Sequence, residues 1–104
     1  MSTDLGDVRD TLRACSEKFR LETRFIGAMV EFRRGAEAHH GASVRLETTT
    51  VIAQIVAWPN GYVDLEIATV TDDEPHIRTE EVTSLAALRG LVDTFADEVV
   101  RLGG

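Results

Sequence analysis

Residues 57–67 constrain the fold of this chain most, because they place a strong turn signal between two strand-like runs. The turn is formed by Pro59, Asn60 and Gly61. Proline presets φ for the first position of a type I turn, and glycine readily adopts the left-handed conformation of the bulge residue that closes a three-residue loop. A two-residue type I′ turn would instead put Pro59 in the closing pair, where its missing N–H removes a ladder hydrogen bond. We therefore predict a β-hairpin with the three-residue loop.

This loop sets the register of the hairpin. It pairs Trp58 with Tyr62, and the following pairs run as far as Ala53 with Ile67. Because side chains alternate between the two faces of a sheet, the register separates a uniformly apolar face from a mixed one. The apolar face, which we predict to pack in the core, carries Val51, Ala53, Ile55, Ala57, Val63, Leu65 and Ile67.

The mixed face combines aromatic, aliphatic and acidic side chains, a composition that favours protein binding over a core or an ordinary solvated surface. Besides Ile52, it carries the six residues that we predict to bind a protein partner: Gln54, Val56, Trp58, Tyr62, Asp64 and Glu66. One alternative is that the two aromatic residues form a cross-strand pair that only stabilises the end of the sheet. Another is that the two carboxylates belong to a solvated face or to a catalytic or metal site. Such a site needs a third ligand or a cleft that the sequence does not supply, so we predict no catalytic, metal-binding or cofactor-binding residue.

The remaining sequence predicts a single α+β domain over residues 1–104, with an N-terminal helix, an antiparallel sheet of about four strands and a C-terminal helix packed on the sheet. The first helix, capped by Thr3 or Asp4, has an apolar stripe made of Leu5, Val8, Leu12, Cys15 and Phe19. Residues 19–36 fit both helical and strand spacing, and we favour a strand for their first part. Residues 35–41 indicate a loop, in which we interpret His39 and His40 as solvated rather than metal-binding.

Strand patterns resume at Ala42 and end with a charged, edge-like strand over residues 76–82. The acidic turn before it, residues 71–75, lacks the twelve-residue pattern of a calcium-binding loop. A final helix, capped by Thr83 or Ser84, is expected to end at Gly103. Its apolar stripe is Leu88, Leu91, Val92, Phe95, Val99 and Leu102. We expect both helices to cover the apolar face of the sheet.

Net charge limits the class of partner, and the sequence around the single cysteine indicates its role. The chain has 104 residues and a formal net charge of −7, which repels nucleic acid and anionic membranes at long range but attracts a basic protein. Cys15 is the single cysteine and lies in an apolar helical pattern, so we interpret it as a core residue rather than a nucleophile. The first residues lack the features of a signal peptide, and no stretch has the length of a membrane span. A cytoplasmic protein that binds neither nucleic acid nor membrane is therefore expected.

The hairpin region contains a recognisable series of elements. A strand ends in Trp58, a turn contains Gly61, and the next strand reads Tyr62-Val63-Asp64-Leu65-Glu66-Ile67. An acidic turn, a further strand and a Ser-led helix follow it. Over about residues 42–102 this series resembles the TriTu-like family of small bacterial immunity proteins, which neutralise polymorphic toxins delivered between competing cells. The resemblance implies a protein that is not an enzyme but binds the catalytic domain of a cognate toxin and blocks its active site. Some toxins of this group are ADP-ribosyltransferases.

A second class of function also suits an acidic α+β domain of this size. A small chaperone or adaptor for a secreted effector would have the same composition. We expect such a protein to form a homodimer through its last helix, where Gly90 and Thr94 would permit close helix packing either in the core or in a dimer. The two hypotheses therefore differ in the surface they use, the mixed sheet face in one and the C-terminal helix in the other.

Overall fold

The computed structural model describes residue 5 and residues 7–35, 41–71 and 74–103. These residues form a layer of antiparallel sheet and a layer of two α-helices. The five strands lie across the sheet in the order of the sequence: β1 (Met29–Arg34), β2 (Ala42–Glu47), β3 (Val51–Ala57), β4 (Tyr62–Thr69) and β5 (His76–Glu81). Helix α1 (Val8–Leu21) precedes the sheet and helix α2 (Leu85–Gly103) follows it. The α+β class is confirmed, with five strands in the described residues rather than about four.

The hairpin between β3 and β4 has the predicted three-residue loop. The amide of Trp58 donates to the carbonyl of Tyr62 at 3.0 Å, and the amide of Gly61 donates to the carbonyl of Trp58 at 3.0 Å. Gly61 has φ of +99°, as the bulge position requires. The amide of Tyr62 also donates to Oδ1 of Asn60 at 3.1 Å. Pairing then runs from Ala57 with Val63 through the whole predicted register.

The apolar face of the sheet forms the core together with the two helices. All seven residues predicted for this face are buried. Helix α1 packs over β1 and β2, while α2 packs over β3 and β4, so the two helices share one face of the sheet. Phe19 of α1 and Phe95 of α2 are the largest of the fully buried side chains, and each contributes roughly 1.5 to 3 kcal/mol through burial.

Helix α1 begins later than either predicted cap allows. Its first residue is Val8, and the side chain of Asp7 caps it by accepting from the amide of Asp10 at 2.8 Å. The two predicted caps, Thr3 and Asp4, lie outside the described residues. The predicted stripe is otherwise confirmed, since its members from Val8 onward are buried and Leu5 packs against the core. Burial, with a smaller contribution from the charge of Asp93, raises the pKa of the Cys15 thiol.

The prediction of a strand in the first part of residues 19–36 is wrong. Helix α1 continues to Leu21, a 3₁₀ turn occupies Thr23–Phe25, and β1 begins only at Met29. The reason is tertiary packing, because the turn brings the ring of Phe25 edge-on to that of Phe19, with centroids 5.4 Å apart, and both rings are buried. Arg20 adds a hydrogen bond of 2.9 Å to the carbonyl of Val30, which holds the end of the helix against β1.

Of the two caps predicted for the C-terminal helix, Ser84 is confirmed. Oγ of Ser84 accepts from the amide of Ala87 at 3.0 Å. The core takes up most of the predicted stripe, but Leu91 is only half-buried and Leu102 is 46% exposed. At 100° per residue, the buried side of the helix is rotated from the predicted stripe towards Ala96, a fully buried residue that the stripe did not include. Leu91 and Leu102 therefore lie on the border of the buried side that is farthest from Ala96.

The remaining loops agree with the sequence where they are described. The amide of Gly35 donates to the carbonyl of Gly41 at 2.8 Å, which closes the connection between β1 and β2. His39 and His40, like Asp72 and Asp73 of the acidic turn, lie outside the described residues. Strand β5 lies at the edge of the sheet and is exposed at all six positions, as its charged sequence predicts. Neither helix of the described chain has the length and apolar character needed to cross a bilayer.

Candidate protein-binding surface

The face of the sheet opposite the helices is left uncovered by every described element, and we call it the open face. Alternation and register assign residues of all five strands to it, and none of them is buried. They are Met29, Glu31, Arg33, Ser43, Arg45, Glu47, Ile52, Gln54, Val56, Trp58, Tyr62, Asp64, Glu66, Ala68, Ile77, Thr79 and Glu81.

The six predicted partner-binding residues lie together on the open face. Gln54 stands directly opposite Glu66, and Val56 stands directly opposite Asp64. Trp58 and Tyr62 close the hairpin at the end of the same two strands. Side chains opposite each other on one face lie about 5 Å apart at Cβ. The hairpin therefore presents these groups as one contiguous surface.

Large apolar side chains on the open face are accessible to solvent. Tyr62 is 47% exposed, Ile52 is 44% exposed and Ile77 is 66% exposed. Met29 at the opposite edge is 42% exposed. Sequence reasoning did not assign Ile77 or Met29 to this surface. Alternation alone places Ile77, Thr79 and Glu81 on a common face of β5, but the register of β5 against β4 was needed to decide which face that is.

Trp58 is half-buried because its indole lies against the backbone of Gly41. A Cβ atom at position 41 would lie 3.1 Å from Cδ1 of Trp58 and 3.0 Å from the carbonyl oxygen of Ala57. A depression of about 160 Å³ adjoins the indole, and Ser43, Gln54 and Val56 line it. Trp58 makes no ring contact with Tyr62, and the only aromatic pair of the described residues is in the core. The two hairpin aromatics are thus directed to different neighbours.

Charges are distributed unevenly over the open face. We call the part of the open face that β1 and β2 form the β1–β2 half. There, Glu31 pairs with Arg33, and Oε2 of Glu47 lies 3.6 Å from Nε of Arg45. That Nε atom is buried and donates to no described acceptor at hydrogen-bond distance, although the side chain as a whole is 43% exposed. The β1–β2 half therefore neutralises most of its own charge.

The part of the open face that β4 and β5 form, which we call the β4–β5 half, is acidic. Oδ1 of Asp64 accepts a hydrogen bond of 2.8 Å from Oγ1 of Thr79. Glu66 and Glu81 make no side-chain hydrogen bond or ion pair with any described residue. Arg78, the cation of β5, belongs to the other face and pairs there with Glu80 at 3.4 Å and Glu98 at 3.1 Å. The carboxylates of this half thus remain available to a cation from outside.

A larger cavity, of about 340 Å³, lies at the far end of the sheet between the 3₁₀ turn, the β2–β3 turn and the end of α2. Three of its polar side chains, those of Arg24, Thr48 and Thr50, are already bonded within the chain. Oγ1 of Thr48 accepts from the amides of Thr50 and Val51, and Oγ1 of Thr50 donates to the carbonyl of Gly103 at 3.1 Å. Arg24 pairs with Asp97 and Glu22, which raise its pKa. Among the described lining residues, only the exposed hydroxyl of Thr49 is left without a partner, and a single hydroxyl cannot define the orientation of a ligand.

Within the part of the chain that the structure describes, no three of the side chains that commonly bind metals come together. Asp64 and Glu66 share a face, but no described residue joins them there as a third ligand. Comparison with known proteins gave no match, either among family models, among curated proteins or among solved structures. The open face therefore has to be interpreted from its own chemistry.

Proposed function

We propose that this chain is an immunity-type protein, which binds a cognate toxin domain with its open face and occludes the active site of that toxin. The observation that carries the proposal is an uncovered sheet face on which Ile52, Tyr62 and Ile77 expose 44 to 66% of their surface. Aromatic and aliphatic groups clustered on an otherwise polar surface are typical of binding sites, where they supply most of the affinity. The resemblance of residues 42–102 to TriTu-like immunity proteins points to the same surface.

Net charge supports a protein partner with a basic site. The chain has a formal net charge of −7. A toxin that acts on nucleic acid or on an anionic cofactor must carry positive charge around its active site. Attraction between the two proteins would accelerate their encounter, while the aromatic and aliphatic contacts would slow dissociation.

The alternative of a dimeric chaperone needs a free apolar face on α2. In the structure, α2 buries Leu88, Val92, Phe95 and Val99 in the core of its own chain. Its outer surface presents exposed polar residues, such as Arg89 and Asp97. An interface formed by α2 would thus lack the apolar stripe that a stable homodimer uses, which is why we favour the open face.

Co-expression tests the proposal directly. The candidate partner is any toxin domain encoded beside this gene, and it is expressed in bacteria with the wild-type protein or with the double variant Tyr62→Ala and Glu66→Arg. Both positions are exposed, so the fold is expected to remain intact by circular dichroism. We expect growth with the wild type and growth arrest with the double variant, because the variant loses an aromatic anchor and places a cation opposite a basic site.

The matched control carries the same two kinds of change away from the sheet. Leu21→Ala and Glu17→Arg alter exposed residues of α1, and cells with this variant should grow like those with the wild type. Equal growth with the Tyr62/Glu66 variant and the wild type would show that the open face is not the binding site. Growth arrest with the wild type itself would reject neutralisation of this toxin.

A further inference from the structure

The β4–β5 half of the open face has a charge pattern that selects its occupant. Asp64, Glu66 and Glu81 lie there without an ion pair among the described residues. On the β1–β2 half, each of the two arginines has a carboxylate beside it. An incoming cation is therefore attracted to the β4–β5 half, and an incoming anion finds no free cation among the described residues of either half.

A second copy of this chain is a poor occupant of the open face. Among the described residues, the face carries five carboxylates, Glu31, Glu47, Asp64, Glu66 and Glu81, against the two guanidinium groups of Arg33 and Arg45. Stacking two such faces would bring two negatively charged surfaces together and remove water from them. Desolvated like charges oppose association strongly, so a basic occupant suits this face better than a second copy does.

Tyr62 is at the centre of the group that a cation would meet. Glu81 stands directly opposite Tyr62 on β5, and Asp64 is two residues further along the same face of β4. These positions lie about 5 Å and 7 Å from Tyr62, and the ring is 47% exposed. A planar guanidinium group can stack on an aromatic ring while its N–H groups donate to neighbouring carboxylates, which an ammonium group does less well.

We propose that the occupant of the open face is a basic segment of the partner protein, which sets arginine side chains against Tyr62, Asp64, Glu66 and Glu81. This inference rests on the proposed function for the identity of the partner, but the chemistry of recognition can be measured without it. The segment crosses the β4–β5 half, while the apolar side chains of Ile52 and Ile77 border it.

Titration of the ¹⁵N-labelled full chain with a blocked Gly-Arg-Gly-Arg-Gly peptide tests the inference. The probe for comparison is the same peptide with citrulline in place of arginine, which keeps the shape and removes the charge. We expect the arginine peptide to shift the amide signals of β4 and β5 around Tyr62 and Glu81, and the citrulline peptide to shift none of them. Sodium chloride at about 0.5 M should weaken the binding, because exposed charges are then screened.

Two variants of equal net charge separate a site from general attraction to an acidic protein. Glu66→Gln with Glu81→Gln should raise the dissociation constant of the arginine peptide about two- to tenfold, as expected for two exposed charge contacts. Glu17→Gln with Glu74→Gln removes two exposed carboxylates elsewhere and should leave the dissociation constant unchanged. Equal weakening by both variants, equal shifts with both peptides, or shifts spread over α1 would each overturn the inference.

The outcome is independent of the growth assay. A protein that neutralises its toxin but shows no preference for the arginine peptide would retain the proposed function and lose this inference. A protein that binds the arginine peptide at β4 and β5 but fails to neutralise the toxin would lose the proposed function and retain the basic-segment site.

Discussion

Gly61 lies so close to Val82 that a side chain at position 61 has no room. The carbonyl of Gly61 accepts a hydrogen bond of 2.8 Å from the amide of Val82. A Cβ atom on Gly61 would come within 2.5 Å of the carbonyl oxygen of Val82, and φ at Gly61 is +99°. The hairpin loop and the end of β5 thus fix each other, and the position of Tyr62 beside Glu81 depends on this contact.

Gly61→Ala should therefore lower the free energy of unfolding by about 2 to 4 kcal/mol, since left-handed strain and a backbone clash act together. Gly27→Ala isolates the effect of left-handed strain, because Gly27 has φ of +83° and no atom lies within 4 Å of the place that a Cβ atom would take. This substitution should lower the free energy of unfolding by about 1 kcal/mol. Gly90→Ala, in helix α2 and also without a neighbour, should stabilise by about 0.5 to 1 kcal/mol. Urea denaturation measures all three, and equal values for Gly61 and Gly27 would contradict the clash.

The hairpin could be predicted from the sequence because its determinants are local. Pro59 and Gly61 select one loop, and the loop selects every pair from Ala57 with Val63 to Ala53 with Ile67. The six residues of the candidate surface follow from that register alone. This is why the core face and the mixed face of β3 and β4 agree with the sequence at every position.

Residues 19–36 could not be assigned in the same way, because two periodicities fit them. The structure is decided by the burial of Phe25 against Phe19 in the core that the helices form with the sheet, which sequence spacing does not reveal. Ile77 is a similar case, since its place on the open face depends on how β5 pairs with β4 across residues 70–75. Elements joined by a tight turn are thus predictable here, and elements joined by longer connections are not.

The cap of α2 offers a second prediction on stability. Ser84 and Thr83 were equally good caps by sequence, but the amide of Ala87 donates to Oγ of Ser84 at 3.0 Å. Ser84→Ala should lower the free energy of unfolding by about 1 kcal/mol, because an amide of the first turn loses its acceptor. Thr83→Ala, at an exposed position, is the matched control and should change stability by less than about 0.5 kcal/mol. A larger cost at Thr83 than at Ser84 would contradict this cap.

Cys15 should make stability depend on pH in the alkaline range. Burial raises the pKa of its thiol in the folded chain, whereas in the unfolded chain the thiol titrates near its ordinary value of about 8.5. The folded state then holds the proton more tightly, so its stability is intact below about pH 8 and declines as pH rises towards the folded pKa. We expect the difference in unfolding free energy between wild type and Cys15→Ala to shrink between pH 7.5 and pH 9.5. A constant difference over that interval would show that burial does not shift this thiol.

The last prediction separates the two interpretations of Trp58 and Tyr62. A cross-strand aromatic pair would show a coupling energy of about 0.5 to 1 kcal/mol in a double-mutant cycle. The indole of Trp58 instead lies against Gly41, and Tyr62 lies beside Glu81, so the two rings do not support each other. We expect Trp58→Ala to destabilise the fold by itself, Tyr62→Ala to change the free energy of unfolding by less than about 0.5 kcal/mol, and the coupling to be close to zero.

Urea denaturation of the two single variants and the double variant measures this coupling. A value above about 0.5 kcal/mol would show that the rings act mainly as a structural pair, and the open face would then lose Tyr62 as an anchor. A value near zero leaves Tyr62 exposed at 47% with no stabilising role. An exposed aromatic side chain that contributes nothing to folding, beside carboxylates that have no cation, is best explained by a partner that supplies the missing contacts.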